Sequence, residues 1–124
     1  MSDDAVHVAP DHYRVLFEND RVRVLKFHAG PGETWGLHSH PDSVVVSLND
    51  YVVQNVVPGS RSTQRQAKHG DVLWIPATRH SGENAGLTEM DCVLVELKDQ
   101  RSARDPLAYF PTPSGQGTTT VTGN

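Results

Sequence analysis

The stretch PGETWGLHSHPDSVVV, Pro31 to Val46, carries two histidines one residue apart, His38 and His40, just ahead of a run of valines. With 7 histidines in 124 residues, roughly 0.4 such pairs are expected by chance. The spacing therefore gains meaning only from its setting. On a helix, residues i and i+2 point about 200° apart and cannot share an ion. On a strand they share a face, about 6.5–7 Å apart along the chain, and two imidazoles can converge on one ion. Whether the pair can act as one site thus depends on whether this stretch is a strand.

Outward from the pair, turn signals recur about every ten residues: END at 18–20, AGPGE at 29–33, HPDS at 40–43, PGS at 58–60, KHGD at 68–71 and ENAG at 83–86. Between them lie short segments rich in Val, Ile, Leu and aromatics: YRVLF, RVRVLKF, VVVSL, YVVQNVV, VLWIP and CVLVEL. No good helix is visible. Short strands at regular spacing, separated by Gly and Pro turns, predict an all-β sandwich or barrel. Val93, Leu94 and Val95 are apolar on both faces of one strand. Either that sheet is covered on both sides or a second subunit packs on the outer one, and a homodimer is the expectation. From about Gln100 the composition shifts to Pro, Gly and Thr, with LAYF (Leu107–Phe110) as one apolar anchor; the last dozen residues are expected to be disordered.

Composition narrows the classes of function. Eleven basic against fifteen acidic residues give a net charge of −4, no basic stripe runs through the chain, and the small cluster Arg61, Arg65 and Lys68 reads as a solvated hairpin, so nucleic acid is not an expected partner. Apolar runs reach about four residues, far short of the ~20 needed to span a membrane. The first residues, MSDDAVHVAPDHY, are acidic and lack the apolar core of a secretory signal. Cys92 is the single cysteine and excludes both an intrachain disulfide and a Cys-rich zinc site. In MDCVLVEL it reads as a buried strand residue rather than a nucleophile. A cytoplasmic location is the default expectation.

A histidine pair is not a site, and a third ligand must come from a neighbouring strand. His7 and His12 sit in an N-terminal arm, His28 at a strand end, and His69 in a tight turn. His80 differs. It comes at the end of GDVLWIPATRH, after a Gly-Asp turn, an apolar strand and a Pro-marked stop, so it is either a satisfied core histidine or a ligand. Beside the His38–His40 pair, the ligand reading is the stronger.

These residues resemble the two motifs of the cupins. PGETWGLHSHPDSVVV is similar to the first, with its His-x-His. GDVLWIPATRHSGEN is similar to the second, with Gly70, Pro76, His80 and Asn84 in matching places. The resemblance spans about residues 21 to 98. It implies a cupin-type double-stranded β-helix (jelly-roll) barrel over 21–98, with an N-terminal arm or strand over 1–20 and an extension over 99–124. It further implies one divalent metal, with His38, His40 and His80 as its ligands. Fe(II) or Mn is expected first, with Zn, Ni or Cu as alternatives.

Two departures from the motif carry chemical weight. The carboxylate that usually follows the second histidine by four residues is replaced by Val44, and Thr78 stands where a Gly is usual. Glu33, Gln54, Glu83 and Glu96 could supply a fourth ligand, but no spacing selects among them. Even-numbered parity with His40 places Val44, Val46 and Leu48 on the inner face, as a valine-lined wall on which Val44→Glu would add a ligand.

Three neutral imidazoles leave the ion's +2 charge uncompensated, which favours a small bidentate anionic oxygen ligand. The resemblance then implies an oxidoreductase of the dioxygenase type acting on a small-molecule substrate. A Lewis-acid isomerase, lyase or decarboxylase and a non-catalytic binding protein are the competing readings. The valines, Ser47 and leucine flanking the pair offer no acid–base group, so no catalytic residue is assigned.

Overall fold

The structure, a computed structural model, describes residues 2–98. Extension 99–124, including Leu107–Phe110, lies outside the described residues. Nine strands follow one short helical turn: α1 (Ala5–Val8), β1 (Tyr13–Glu18), β2 (Val22–Ala29), β3 (Thr34–His40), β4 (Ser43–Ser47), β5 (Tyr51–Val56), β6 (Thr63–Ala67), β7 (Val72–Ile75), β8 (Thr78–Asn84) and β9 (Met90–Leu97). They form a five-stranded sheet ordered β1-β2-β9-β4-β7 and a four-stranded sheet ordered β3-β8-β5-β6. All pairings are antiparallel. The chain crosses between the sheets at β2–β3, β3–β4, β4–β5, β6–β7, β7–β8 and β8–β9, which gives the double-stranded β-helix barrel that the motifs imply.

The turn residues act as their chemistry requires. Gly70 takes φ 89° in the KHGD turn, a left-handed conformation open to glycine at no steric cost. The single helical turn, not visible in the sequence pattern, is held by the Asp4 side chain, which accepts from the Val6 N–H. ENAG carries a turn signal, but β8 runs through Gly82 to Asn84. Gly82 serves the strand pair itself: a Cβ there would lie 2.6 Å from the Trp35 indole nitrogen, so the glycine makes room for the ring. Trp35 in turn packs edge-on against Phe27, with centroids 4.7 Å apart, and joins the two sheets through the core.

Both sheets turn alternate residues inward. Leu25, Phe27 and Ala29 of β2 meet Cys92 and Leu94 of β9, Val45 of β4, and Tyr51 and Val53 of β5. The parity reading of β4 is corrected here. Ser43, Val45 and Ser47 are the buried set, while Val44 and Val46 face outward and Leu48 is exposed. His40 ends β3 in one sheet and Ser43 starts β4 in the other. Pro41 and Asp42 turn the corner between them, and alternation does not carry across such a corner. Val44→Glu would therefore put its carboxylate on the outside of the barrel.

The outer face of the five-stranded sheet is apolar along a complete cross-strand row. Phe17 pairs with Val24, Val24 with Val95, Val95 with Val44, and Val44 with Trp74. Phe17 is 54% exposed and Trp74 48%. Val93, Val46 and Val72 form a second row beside it.

Candidate metal centre

Two of the three histidines owe their position to a bulge. Trp35 pairs with Gly82 and His38 with His80, so β3 spends one residue more than β8 over that interval. Without the extra residue, odd-numbered Trp35 and even-numbered His38 would face opposite sides. With it, both point inward, and His38 and His40 then follow ordinary alternation. His80 sits directly opposite His38 on β8. It is not at the end of the core strand VLWI, where the sequence pattern puts it, but on the next strand, after Pro76 and Ala77 have carried the chain into the other sheet. One ligand atom from each of the three rings lies within 4.8 Å of the others.

The protons of two rings are fixed by what their outer nitrogens touch. His38 Nδ1 lies 2.7 Å from the Gly36 carbonyl, which can only accept, so this nitrogen carries the hydrogen. His40 Nδ1 lies 2.7 Å from Glu96 Oε2 and likewise donates to the carboxylate. In their neutral forms both Nε2 atoms are then bare lone pairs, and they face each other across 3.0 Å. The Tyr13 hydroxyl, 3.3 Å from one and 3.2 Å from the other, has a single proton and can satisfy one of them. Among the described residues, the His80 ring makes no hydrogen bond, and it completes the group at 4.9 Å from His38, centroid to centroid.

Protonation of His38 or His80 is a costly remedy for this shortage of donors. Burial holds His38 below its ordinary pKa, and burial with the neighbouring imidazoles lowers His80 to about 4. Near pH 7 these two rings stay neutral. A cation is what such a constellation of acceptors lacks, and three imidazole nitrogens at this spacing could hold a divalent metal ion.

Behind the rings runs an ionic chain that orients them. Glu96, 2% exposed, receives Arg23 Nη2 at 2.7 Å, and the same guanidinium nitrogen reaches Asp4 Oδ1 at 2.6 Å. Glu96, one of the sequence candidates for a fourth ligand, thus stands on the far side of His40 from the other rings and acts on the centre through that imidazole. The other candidates lie elsewhere: Glu33 accepts from the Gly30 N–H, Gln54 donates to Ser62, and Glu83 is exposed. His7 and His69 are exposed, His28 pairs with Asp91 and Glu89, and His12 bonds the His28 carbonyl.

Two residues of the centre are not marked by the sequence pattern. Tyr13 falls in the segment expected as an N-terminal arm or strand; it opens β1, the expected strand segment YRVLF, and is buried against Phe27 at 4.8 Å, centroid to centroid. Burial pushes its hydroxyl well above the usual pKa of a phenol. Arg65 falls in the expected solvated hairpin. It is on β6, opposite Val53, and lines the cavity beside the histidines.

That cavity measures about 50 Å³, room for a few waters or a ligand of a few heavy atoms. Phe27, Trp35, Val45, Val53 and Leu94 wall it, with Tyr13, His40 and His80 on one side and Asn55, Tyr51 and Arg65 also facing it. Arg65 sits over the Tyr51 ring at 5.8 Å and has no carboxylate partner among the described residues. Cys92 also borders the cavity, but burial raises its thiol to about 12, which removes it as a nucleophile near neutral pH.

No family model and no curated protein matches the sequence. Solved structures do. A cupin domain from Bordetella pertussis Tohama I superposes with a TM-score of 0.65 at 29% identity, covering 70% of this chain and 92% of its own. A conserved protein with a double-stranded β-helix domain from Klebsiella pneumoniae subsp. pneumoniae MGH 78578 gives 0.58 at 22% identity, covering 71% and 76%. A Cupin 2 conserved barrel domain protein from Salinispora arenicola CNS-205 gives 0.52 at 20%, covering 71% and 75%. Barrel and topology give this chain the cupin-type double-stranded β-helix fold, and the gathered histidines are in keeping with a metal-binding cupin.

Proposed function

We propose that this cupin holds one divalent metal through Nε2 of His38, Nε2 of His40 and a ring nitrogen of His80, and that it is an oxidoreductase of the dioxygenase type acting on a small bidentate anion. The observation that carries the metal is the pair of Nε2 atoms 3.0 Å apart, both acceptors in the neutral rings, with one phenolic proton beside them. When bound, Fe(II) or Mn(II) would supply the redox and Lewis-acid chemistry that the side chains lack.

Arg65 supports an anionic substrate. A half-buried guanidinium without a carboxylate partner among the described residues, at the wall of a small apolar cavity, offers a two-pronged donor to a carboxylate or enolate oxygen. The apolar walls exclude bulk water and strengthen that attraction. No Asp or Glu lines the cavity among the described residues, so proton transfer by a carboxylate, which an isomerase or lyase commonly uses, has no evident agent. This favours oxygen chemistry.

A second copy is also proposed to cover the outer face of the five-stranded sheet. The apolar row from Phe17 to Trp74 runs unbroken across all five strands and repeats on any copy, so two such faces can pack on each other about a two-fold axis.

Metal analysis of untagged protein should find one divalent ion per chain. His80→Ala should weaken its binding by at least about 100-fold, because loss of a mere supporting partner already costs 10–100-fold. Full retention by that variant would contradict the site. Arg65→Met should leave metal content unchanged and weaken binding of a small hydroxy- or keto-acid by roughly 10- to 100-fold. Unaltered affinity would remove Arg65 from substrate recognition. Oxygen uptake should accompany turnover of the right acid, and turnover without it would favour the Lewis-acid alternatives. Light scattering should give twice the 13.6 kDa chain mass, and a monomer at micromolar concentration would contradict the dimer.

A further inference from the structure

Tyr13 stands at the histidine cluster with its polar atom turned to the imidazoles. Its hydroxyl makes no hydrogen bond other than those to His38 and His40 among the described residues. Its ring is pinned between Phe27 and the two imidazoles, with centroids 4.8, 5.5 and 5.5 Å away, and its backbone is tied by the register Tyr13↔Phe27 and by the bond from its N–H to the Ala9 carbonyl. The oxygen is therefore held in place without a metal.

The spacing of that oxygen is the informative quantity. Donor atoms bound about 2.0–2.2 Å from a common ion at tetrahedral or octahedral angles lie roughly 2.8–3.6 Å from one another. The three separations here are 3.0 Å between the two Nε2 atoms and 3.2 and 3.3 Å from them to the Tyr13 oxygen. All three fall inside that window. A residue present only to cap an imidazole would more often approach one nitrogen at ordinary hydrogen-bond length than stand nearly equidistant from two.

Resting on the three-histidine reading above, we infer that the Tyr13 oxygen is a fourth protein ligand of the metal. On coordination the O–H bond is broken, the oxygen–metal bond forms, and the proton leaves to solvent, with no electron transferred. The phenolate would lower the net charge of the centre from +2 to +1. It thereby does from β1 what a carboxylate on β4 cannot do, since Val44 faces outward and inward-facing Val45 has no donor.

The test is spectroscopic and needs no substrate. Metal-free protein titrated with Cu(II) alone should develop a visible charge-transfer band on binding one equivalent, with tyrosinate ring modes in the resonance Raman spectrum. Tyr13→Phe should still bind Cu(II), about 10- to 100-fold more weakly, and lack the band. Tyr51→Phe, which alters the other tyrosine at the cavity, should keep it. Wild-type protein that binds one equivalent without the band overturns the inference and leaves the three-histidine site standing, whether or not Tyr13→Phe folds. A band that survives in Tyr13→Phe overturns it too. Failure of the wild type to bind any Cu(II) overturns the three-histidine reading itself, and the fourth ligand with it.

Discussion

The centre depends on two hydrogen bonds that face away from it. The Gly36 carbonyl and the Glu96 carboxylate each accept a hydrogen bond from the Nδ1–H of a histidine, and in the neutral rings this leaves both Nε2 atoms as acceptors. Two acceptors held 3.0 Å apart in a protein interior repel unless something positive lies between them. The fold supplies one phenolic proton for that space, which leaves it short. The demand for a cation is thus set by tautomers rather than by the mere presence of three histidines.

The rest of the barrel can be traced to keeping those bonds. The β3 bulge exposes the Gly36 carbonyl to His38 and lets Trp35 and His38 face the same side. Trp35 needs that side because its indole lies over Gly82, where any Cβ would collide. Glu96, buried at the end of β9, is neutralised by Arg23, and Arg23 is held by Asp4 at the start of α1. An isolated buried carboxylate would be costly, so the N-terminal segment contributes to the orientation of His40 from outside the barrel. Tyr13, a few residues later in the same segment, reaches the other side of the imidazoles.

Much of this is legible in the sequence. Turn spacing points to an all-β barrel, the two motifs to its type, and strand alternation puts His38 and His40 on one face. The rest is hidden for identifiable reasons. Parity counted from His40 to Val44 crosses a corner between sheets. The ENAG signal masks the end of β8, and nothing local shows that Trp35 lies over Gly82. Glu96 cannot be told from Glu33 or Glu83 without knowing that β9 lies beside Arg23. Tyr13 and Arg65 carry no local signal, because neither stands in a motif or belongs to the residue types that most often bind metals. A strand-opening tyrosine and a hairpin arginine acquire their roles only through long-range pairing, Tyr13 with Phe27 and Arg65 with Val53.

The tautomers of His38 and His40 are the most direct point of attack, and long-range proton–nitrogen correlation of the histidine rings reads them. In metal-free protein, at a pH where the rings are neutral, both should carry their hydrogen on Nδ1 and show an unprotonated Nε2. One equivalent of Zn(II) should then shift Nε2 of both, together with one nitrogen of His80, and leave His7, His12, His28 and His69 where they were. An Nε2-protonated His38 or His40 in the metal-free protein, or a Zn(II) response centred on the other histidines, would contradict the proposed centre.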